Sequence, residues 1–114
     1  AEFIKKGKTP TIFGTGRSTR DYIYITDVVE ANRKALRRGE NVICNIGCGK
    51  EISVAEVFEI IAKEFGFRGK PHHVKPRAGE VFRIALINQR AERILGFRPQ
   101  VNFESGVKKY IAST

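Results

Sequence analysis

Two short loops hold the residues best suited to chemistry. The first is Gly14-Thr15-Gly16-Arg17-Ser18-Thr19-Arg20-Asp21-Tyr22, and the second is Lys75-Pro76-Arg77-Ala78-Gly79-Glu80. Each sets a guanidinium in a turn, with a carboxylate close behind. A guanidinium presents five N–H donors in a rigid fork that matches phosphate oxygens two at a time. One such charge-assisted hydrogen bond contributes about 1.5–3 kcal/mol net when sheltered from water. Glycines before Arg20 and after Arg77 let the backbone approach a ligand closely. The loops therefore offer the chemistry needed to hold a pyrophosphate and the hydroxyls of an attached sugar. Composition alone also permits the bland alternative of two ordinary exposed arginines.

No other constellation competes with these loops. Ser18, Ser53 and Ser105 sit in turn or cap contexts, without a G-x-S-x-G elbow or a partner base, so no catalytic residue is assigned. The run Ile46-Gly47-Cys48-Gly49-Lys50-Glu51-Ile52-Ser53 imitates a dinucleotide-binding turn, but Ile52 stands where the third glycine is needed for close helix–strand packing. Cys44 and Cys48 with His72 and His73 could be assembled into a four-ligand set. Their spacing is not that of a zinc knuckle, and adjacent histidines on an extended segment point to opposite faces, so no metal is assigned. Asp21 and Asp27 are read as partners for Arg20 or as helix caps.

The elements that must position the loops alternate between strand and helix. Thr11-Ile12-Phe13 reads as a strand ending at Gly14, and Tyr22-Ile23-Tyr24-Ile25 as a second, being β-branched and aromatic. A helix is expected from Thr26 or Asp27 as N-cap to Arg38, with Val28, Val29, Ala31, Ala35 and Leu36 inward and Gly39 as its stop. Val42-Ile43-Cys44-Asn45-Ile46 is the most strand-like run in the chain. Ser53-Val54-Ala55-Glu56 is a capping box opening a helix to Phe65, with Val54, Val57, Phe58, Ile61 and Phe65 on its core face. Pro71–Val74 and Phe82–Leu86 read as short extended segments around the Arg77 loop. Asn88 is expected to cap a short helix carrying Ala91, Ile94 and Leu95, and Asn102 a last one with Phe103, Val107, Tyr110 and Ile111 inward. Residues Ala1 to Lys6 read as the last turns of a helix.

With 114 residues, 41% of them hydrophobic and in periodic runs, the chain suits one domain, 1–114, with a core of its own. No apolar stretch approaches a membrane span and no signal-peptide pattern opens the sequence, so a cytoplasmic protein is expected. The net charge of +9 raises the possibility of an anionic partner, either nucleic acid or a phosphorylated small molecule. The positive charges are dispersed, and Arg33, Lys34, Arg37 and Arg38 suit the C-terminal end of one helix, which argues against a nucleic-acid patch.

In order, the motifs resemble a known family. Thr11 to Gly16, then Thr19-Arg20-Asp21-Tyr22-Ile23-Tyr24-Ile25-Thr26-Asp27-Val28-Val29-Glu30-Ala31, are similar to the C-terminal portion of nucleotide-sugar epimerases and dehydratases. Those enzymes belong to the extended short-chain dehydrogenase/reductase family, and the UDP-glucose 4-epimerase type is the nearest. Asn45-Ile46-Gly47-Cys48-Gly49 before Ser53-Val54 resembles that family's "YNIGxG…S" segment. Pro76-Arg77-Ala78-Gly79-Glu80 resembles its "RPGD" loop, and Leu95-Gly96-Phe97-Arg98-Pro99 its "LGWxP" segment.

The resemblance implies an α/β fold: a small substrate-binding lobe of short strands alternating with about four helices, its Rossmann domain absent. It implies that Arg20, with Tyr22 beside it, and Arg77 hold the pyrophosphate of a UDP-sugar or dTDP-sugar. Glu80 would stand where the family places Asp on the ribose. Thr11, Ile12 and Phe13 would line the base pocket, largely through backbone groups. NAD would be the cofactor of the parent isomerase and not of this chain, which has neither the family's G-x-x-G-x-x-G nor its Tyr-x-x-x-Lys pair and is not expected to catalyse alone. Three readings stand: a nucleotide-sugar-binding part of such an enzyme, a small basic nucleic-acid-binding module, and a remnant that self-associates through an apolar face.

Overall fold

A computed structural model describes residues 1–114. Its elements, in chain order, are α1 (Glu2–Lys5), β1 (Thr11–Phe13), β2 (Thr19–Arg20), α2 (Ile25–Ala35), β3 (Ile52–Ser53), α3 (Val54–Glu64), β4 (His72–Val74), α4 (Gln89–Leu95) and α5 (Phe103–Ala112). The α/β class matches the expectation, with the expected helices preceded by the one-turn α1. No helix is long and apolar enough to cross a membrane. The chain divides into two compact units, one of Ala1–Arg20 with Ile52–Ile84, the other of Asp21–Glu51 with Ala85–Thr114.

The first unit carries both two-stranded sheets. β1 and β4 run parallel, with Thr11 opposite His72, Ile12 opposite His73 and Phe13 opposite Val74. Ile12 is buried while Thr11 and Phe13 are exposed, which is the period of two that a half-buried strand requires. β2 and β3 are antiparallel, with Thr19 opposite Ser53 and Arg20 opposite Ile52. The extended segment after the Arg77 loop joins them: Thr19 N–H donates to Phe82 O at 2.8 Å, and Ile84 N–H to Thr19 O at 3.3 Å.

The capping box at Ser53 forms as expected. Ser53 Oγ accepts from Glu56 N–H at 3.1 Å, and Glu56 Oε2 accepts from Ser53 N–H at 2.8 Å. These bonds hold the Glu56 carboxyl below its ordinary range, the Ser53 side chain contributing most. The expected core positions of α3 are half-buried, Ala62 is fully buried, and Phe58 meets Phe67 edge to face.

The second unit is built on Ala31, Ala91, Leu95 and Phe97, with Ile23, Cys44, Ile46 and Ile94 packed around them. Phe97, only 1% exposed, is its centrepiece. Asp27 lies in the first turn of α2 at 4% exposure, and its Oδ2 accepts from both Gln100 and Val101 N–H at 3.0 Å. A buried carboxylate is tolerable here because two backbone donors replace water.

Several expectations for this unit need correction. Tyr22–Ile25 is not a strand: Tyr24, in extended conformation, is the N-cap of a helix that begins at Ile25, and Tyr22 packs on Phe103 with ring centroids 5.1 Å apart. Its aromatic and branched residues are used for packing, which is what their strand preference largely measures. Asp27 therefore acts inside the helix, bonding a distant segment, and α2 ends at Ala35 rather than Arg38. Val42–Ile46 alternates half-buried and exposed residues as a strand would, but no ladder pairs it. Val29, Ala35, Leu36 and Tyr110 are exposed, not inward, and Leu36 reaches 89% exposure. Asn102 caps α5 through Ser105 N–H at 2.8 Å. Asn88, by contrast, makes no cap bond and instead donates from Nδ2 to Gly47 O at 3.1 Å.

Candidate functional site

A groove of about 180 Å³ in the first unit is lined by residues of both arginine loops. One wall runs from Phe13 through Gly14, Thr15 and Gly16 to Ser18, and the other is formed by Pro76, Arg77, Glu80 and Phe82. The first wall follows from β1 ending at Phe13 and the chain turning back through two left-handed glycines, Gly14 (φ 73°) and Gly16 (φ 78°). At Gly16 the need for glycine is doubled, because a Cβ there would lie 3.3 Å from the Ala55 Cβ. That closeness lets Gly16 O and Ser18 O accept from Ala55 and Val54 N–H at 2.9 and 3.0 Å, fastening the wall to the start of α3.

The second wall is placed by β4. Three residues after Val74, the Arg77 guanidinium lies over the Phe13 ring, 3.9 Å from its centroid. A cation held on an aromatic face is restrained yet keeps its N–H edge available to an anion. Glu80 closes the turn and pairs with Arg20, Nη2 to Oε1 at 3.2 Å. Both side chains are about a third exposed, so the pair itself contributes little stability, on the order of 0–1 kcal/mol. Its consequence is positional: Arg20 and Arg77 belong to one neighbourhood, linked through Glu80. Arg20 is further oriented by an Nη1 hydrogen bond to Thr19 O at 2.7 Å.

Of the seven residues singled out from sequence, Phe13, Arg77 and Glu80 line the groove, and Arg20 reaches it through Glu80. Thr11 and Ile12 lie on the strand leading to it, with Ile12 buried beneath, and neither lines it. Tyr22 belongs to the second unit, against Phe103. Thr15, Ser18 and Pro76 lie within the two loops, and Phe82 just after the second, but the sequence assigned none of them a binding role, since a lone hydroxyl or ring in a turn carries no signal by itself.

The Ile46-Gly47-Cys48-Gly49 turn has a specific occupant. Cys48 N–H donates to Asp21 Oδ1 at 2.7 Å, and Gly49 N–H to Asp21 Oδ2 at 2.8 Å. Leu86 N–H donates to the same Oδ2 at 3.1 Å. The amides that a dinucleotide pyrophosphate would need are thus bound to an internal carboxylate, so this turn does not fit NAD. Asp21 pairs neither with a guanidinium nor with a helix end. Burial, then the nearby Asp21 charge, pushes the Cys48 thiol up from its ordinary value. Cys44 and Cys48 are free thiols, and no three His, Cys, Asp or Glu side chains converge to hold a metal.

Known proteins are similar to this chain over almost its whole length. A Methanocaldococcus jannaschii protein provisionally named a UDP-glucose 4-epimerase is 48% identical over 106 residues, covering 93% of this chain and 34% of its own length. The structure of Thermotoga maritima UDP-glucose 4-epimerase with UDP-glucose superposes with a TM-score of 0.94 at 35% identity, over 98% of this chain and 37% of that one. Bacillus cereus UDP-glucuronic acid 4-epimerase, in complex with UDP-glucuronic acid and NAD, gives a TM-score of 0.88 at 27% identity, over 98% and 38%. The chain thus spans about a third of the length of the relatives it matches. The nucleic-acid-binding reading finds no support among these similarities. Since residues 1–110 match the family model described as GDP-mannose 4,6 dehydratase, the chain belongs to that family and corresponds to the C-terminal portion of its extended short-chain dehydrogenase/reductase epimerases.

Proposed function

We propose that this chain is the nucleotide-sugar-binding C-terminal part of an NAD-dependent, UDP-glucose 4-epimerase-like enzyme, acting in the cytoplasm and not catalysing alone. The observation that carries this reading is the groove in which Arg77 lies on Phe13 while Glu80 links it to Arg20. Two guanidiniums near one groove suit a diphosphate, whose oxygens each accept several charge-assisted bonds. Arg20 and Arg77 would hold the pyrophosphate, and Glu80 a ribose hydroxyl. Phe13, with backbone groups of Thr11 and Ile12, would receive the base, while Tyr22 carries only the assignment implied by the resemblance. NAD, bound by a separate domain of the whole enzyme, would accept and return the C4 hydride of the sugar.

At about 180 Å³ the groove is smaller than the roughly 300–1,000 Å³ of a complete ligand site, so weak binding is expected. Calorimetric titration of the folded chain with UDP, UDP-glucose and dTDP-glucose tests the assignment. Binding that Arg77→Ala abolishes is the expected result, and a folded chain that binds none of the three refutes a retained site.

The apolar face of α2 supports a partner as well. Ile25, Val29 and Leu36 recur at helical spacing, all exposed, and Ile43 on the unpaired segment is exposed too. Such a face suits the NAD-binding domain of the enzyme or, in its absence, a second copy of this chain. Sedimentation that stays monomeric at high concentration would argue against association of copies through this face.

A further inference from the structure

Gly14 begins the turn in the first wall of the groove, and β4 holds both of its backbone groups. Its N–H donates to Val74 O at 2.9 Å, continuing the β1–β4 pairing. Its carbonyl oxygen lies 2.7 Å from Nδ1 of His73. A carbonyl can only accept, so the ring nitrogen is the donor and neutral His73 carries its proton on Nδ1. Protonation of the ring leaves that N–H in place, so the bond is available in both charge states. Phe13, directly before Gly14, is the seat of the Arg77 guanidinium, and Arg77 lies four residues after His73. One imidazole thus ties the turn of one wall to the strand that delivers the other.

We propose that His73 is a positioning residue: its Nδ1–H fixes the Gly14 carbonyl and so sets the Gly14–Gly16 wall, and Phe13 under Arg77, in the ligand-ready arrangement. The binding consequence rests on the groove being a UDP-sugar subsite; the positioning itself does not. The exposed ring can be replaced without opening a core. His73→Phe keeps the ring but removes the donor, whereas His73→Asn can present an N–H at nearly the same place.

Three measurements on the 114-residue chain test this. Imidazole nitrogen shifts in the ligand-free protein should show the Nδ1–H tautomer for neutral His73. In His73→Phe, the Gly14 amide should exchange several-fold faster and the ring-current shift of the Arg77 side chain should diminish, with His73→Asn restoring both. UDP should bind His73→Phe about three- to tenfold more weakly, from the loss of one modest hydrogen bond, and His73→Asn as the parent chain. An Nε2–H tautomer, or unchanged Gly14 exchange and Arg77 shift in His73→Phe, overturns the positioning role. Changed ligand-free signals with unchanged UDP affinity overturn the link to binding. If UDP binds none of the proteins while the ligand-free signals change as expected, the assignment of the groove fails and the positioning of its wall stands.

Discussion

Replacement of Asp21 should unlock the turn that it clamps. Its carboxylate receives three backbone N–H groups, from Cys48 at 2.7 Å, Gly49 at 2.8 Å and Leu86 at 3.1 Å. The Cys48 and Leu86 bonds are partly buried, while the Gly49 bond is exposed and water can replace it. Two sheltered charge-assisted bonds at about 1.5–3 kcal/mol each give a gross loss of roughly 3–6 kcal/mol for Asp21→Ala. Partial entry of water into the vacated space should reduce this to about 2–4 kcal/mol. Asp21→Asn keeps one acceptor oxygen, which can serve the Gly49 and Leu86 pair, but turns an NH2 group against the Cys48 amide. It should cost about 1–3 kcal/mol, less than alanine. Against a total stability of about 5–15 kcal/mol, both effects are readable by urea unfolding followed by circular dichroism. Amide exchange should accelerate at Cys48 and Leu86 before it does elsewhere in the second unit. If both variants unfold within about 0.5 kcal/mol of the parent chain, or if those two amides exchange no faster, the clamp does not hold the turn.

Other perturbations have equally definite outcomes. A Cβ at Gly47 would sit 2.8 Å from Asp21 Oδ2 and 3.0 Å from Leu86 Cβ, so Gly47→Ala should lower the thermal midpoint by several degrees, as scanning calorimetry would show. Ser53→Ala should cost about 1 kcal/mol in chemical denaturation by removing the cap of α3. Because the folded-state pKa of Glu56 is depressed, its contribution is present above the unfolded carboxylate value and is lost as pH falls through the folded one. Glu56→Gln should therefore flatten the acid-side loss of stability below about pH 5, measured by unfolding at stepped pH. Cys48, its thiol pushed up by burial and by Asp21, should react with iodoacetamide at mildly alkaline pH more slowly than an unstructured cysteine peptide, and an equal or faster rate would contradict that environment.

The arginine loops, the capping box at Ser53 and the cap at Asn102 were readable from sequence because each depends on neighbours within a few residues. The pattern of α3 was likewise visible, since helical spacing is a local signal. What local pattern could not supply was the identity of distant partners. Val42–Ile46 has the alternation of a strand without a neighbour to complete it, and Leu36 has the side chain of a core residue at an uncovered position. Asp21, Asp27 and Asn88 all have residue types suited to caps, but their partners lie 27 or more residues away in sequence, at Cys48, Gln100 and Gly47. The Arg20–Glu80 link was equally beyond reach, because the two residues are separated by 60 positions.

The Asp21 clamp also has a consequence for how such sequences can diverge. The carboxylate lies where a side chain at position 47 would have to pass, and it occupies the amides at positions 48 and 49. Positions 21 and 47 are therefore not free to change independently. A relative that acquires a side chain at 47 should also have shortened, moved or lost the acid at 21, whereas one that keeps the acid should keep the glycine. The two columns should covary across the family despite lying 26 residues apart, and the linkage would be carried by a single hydrogen-bonded turn.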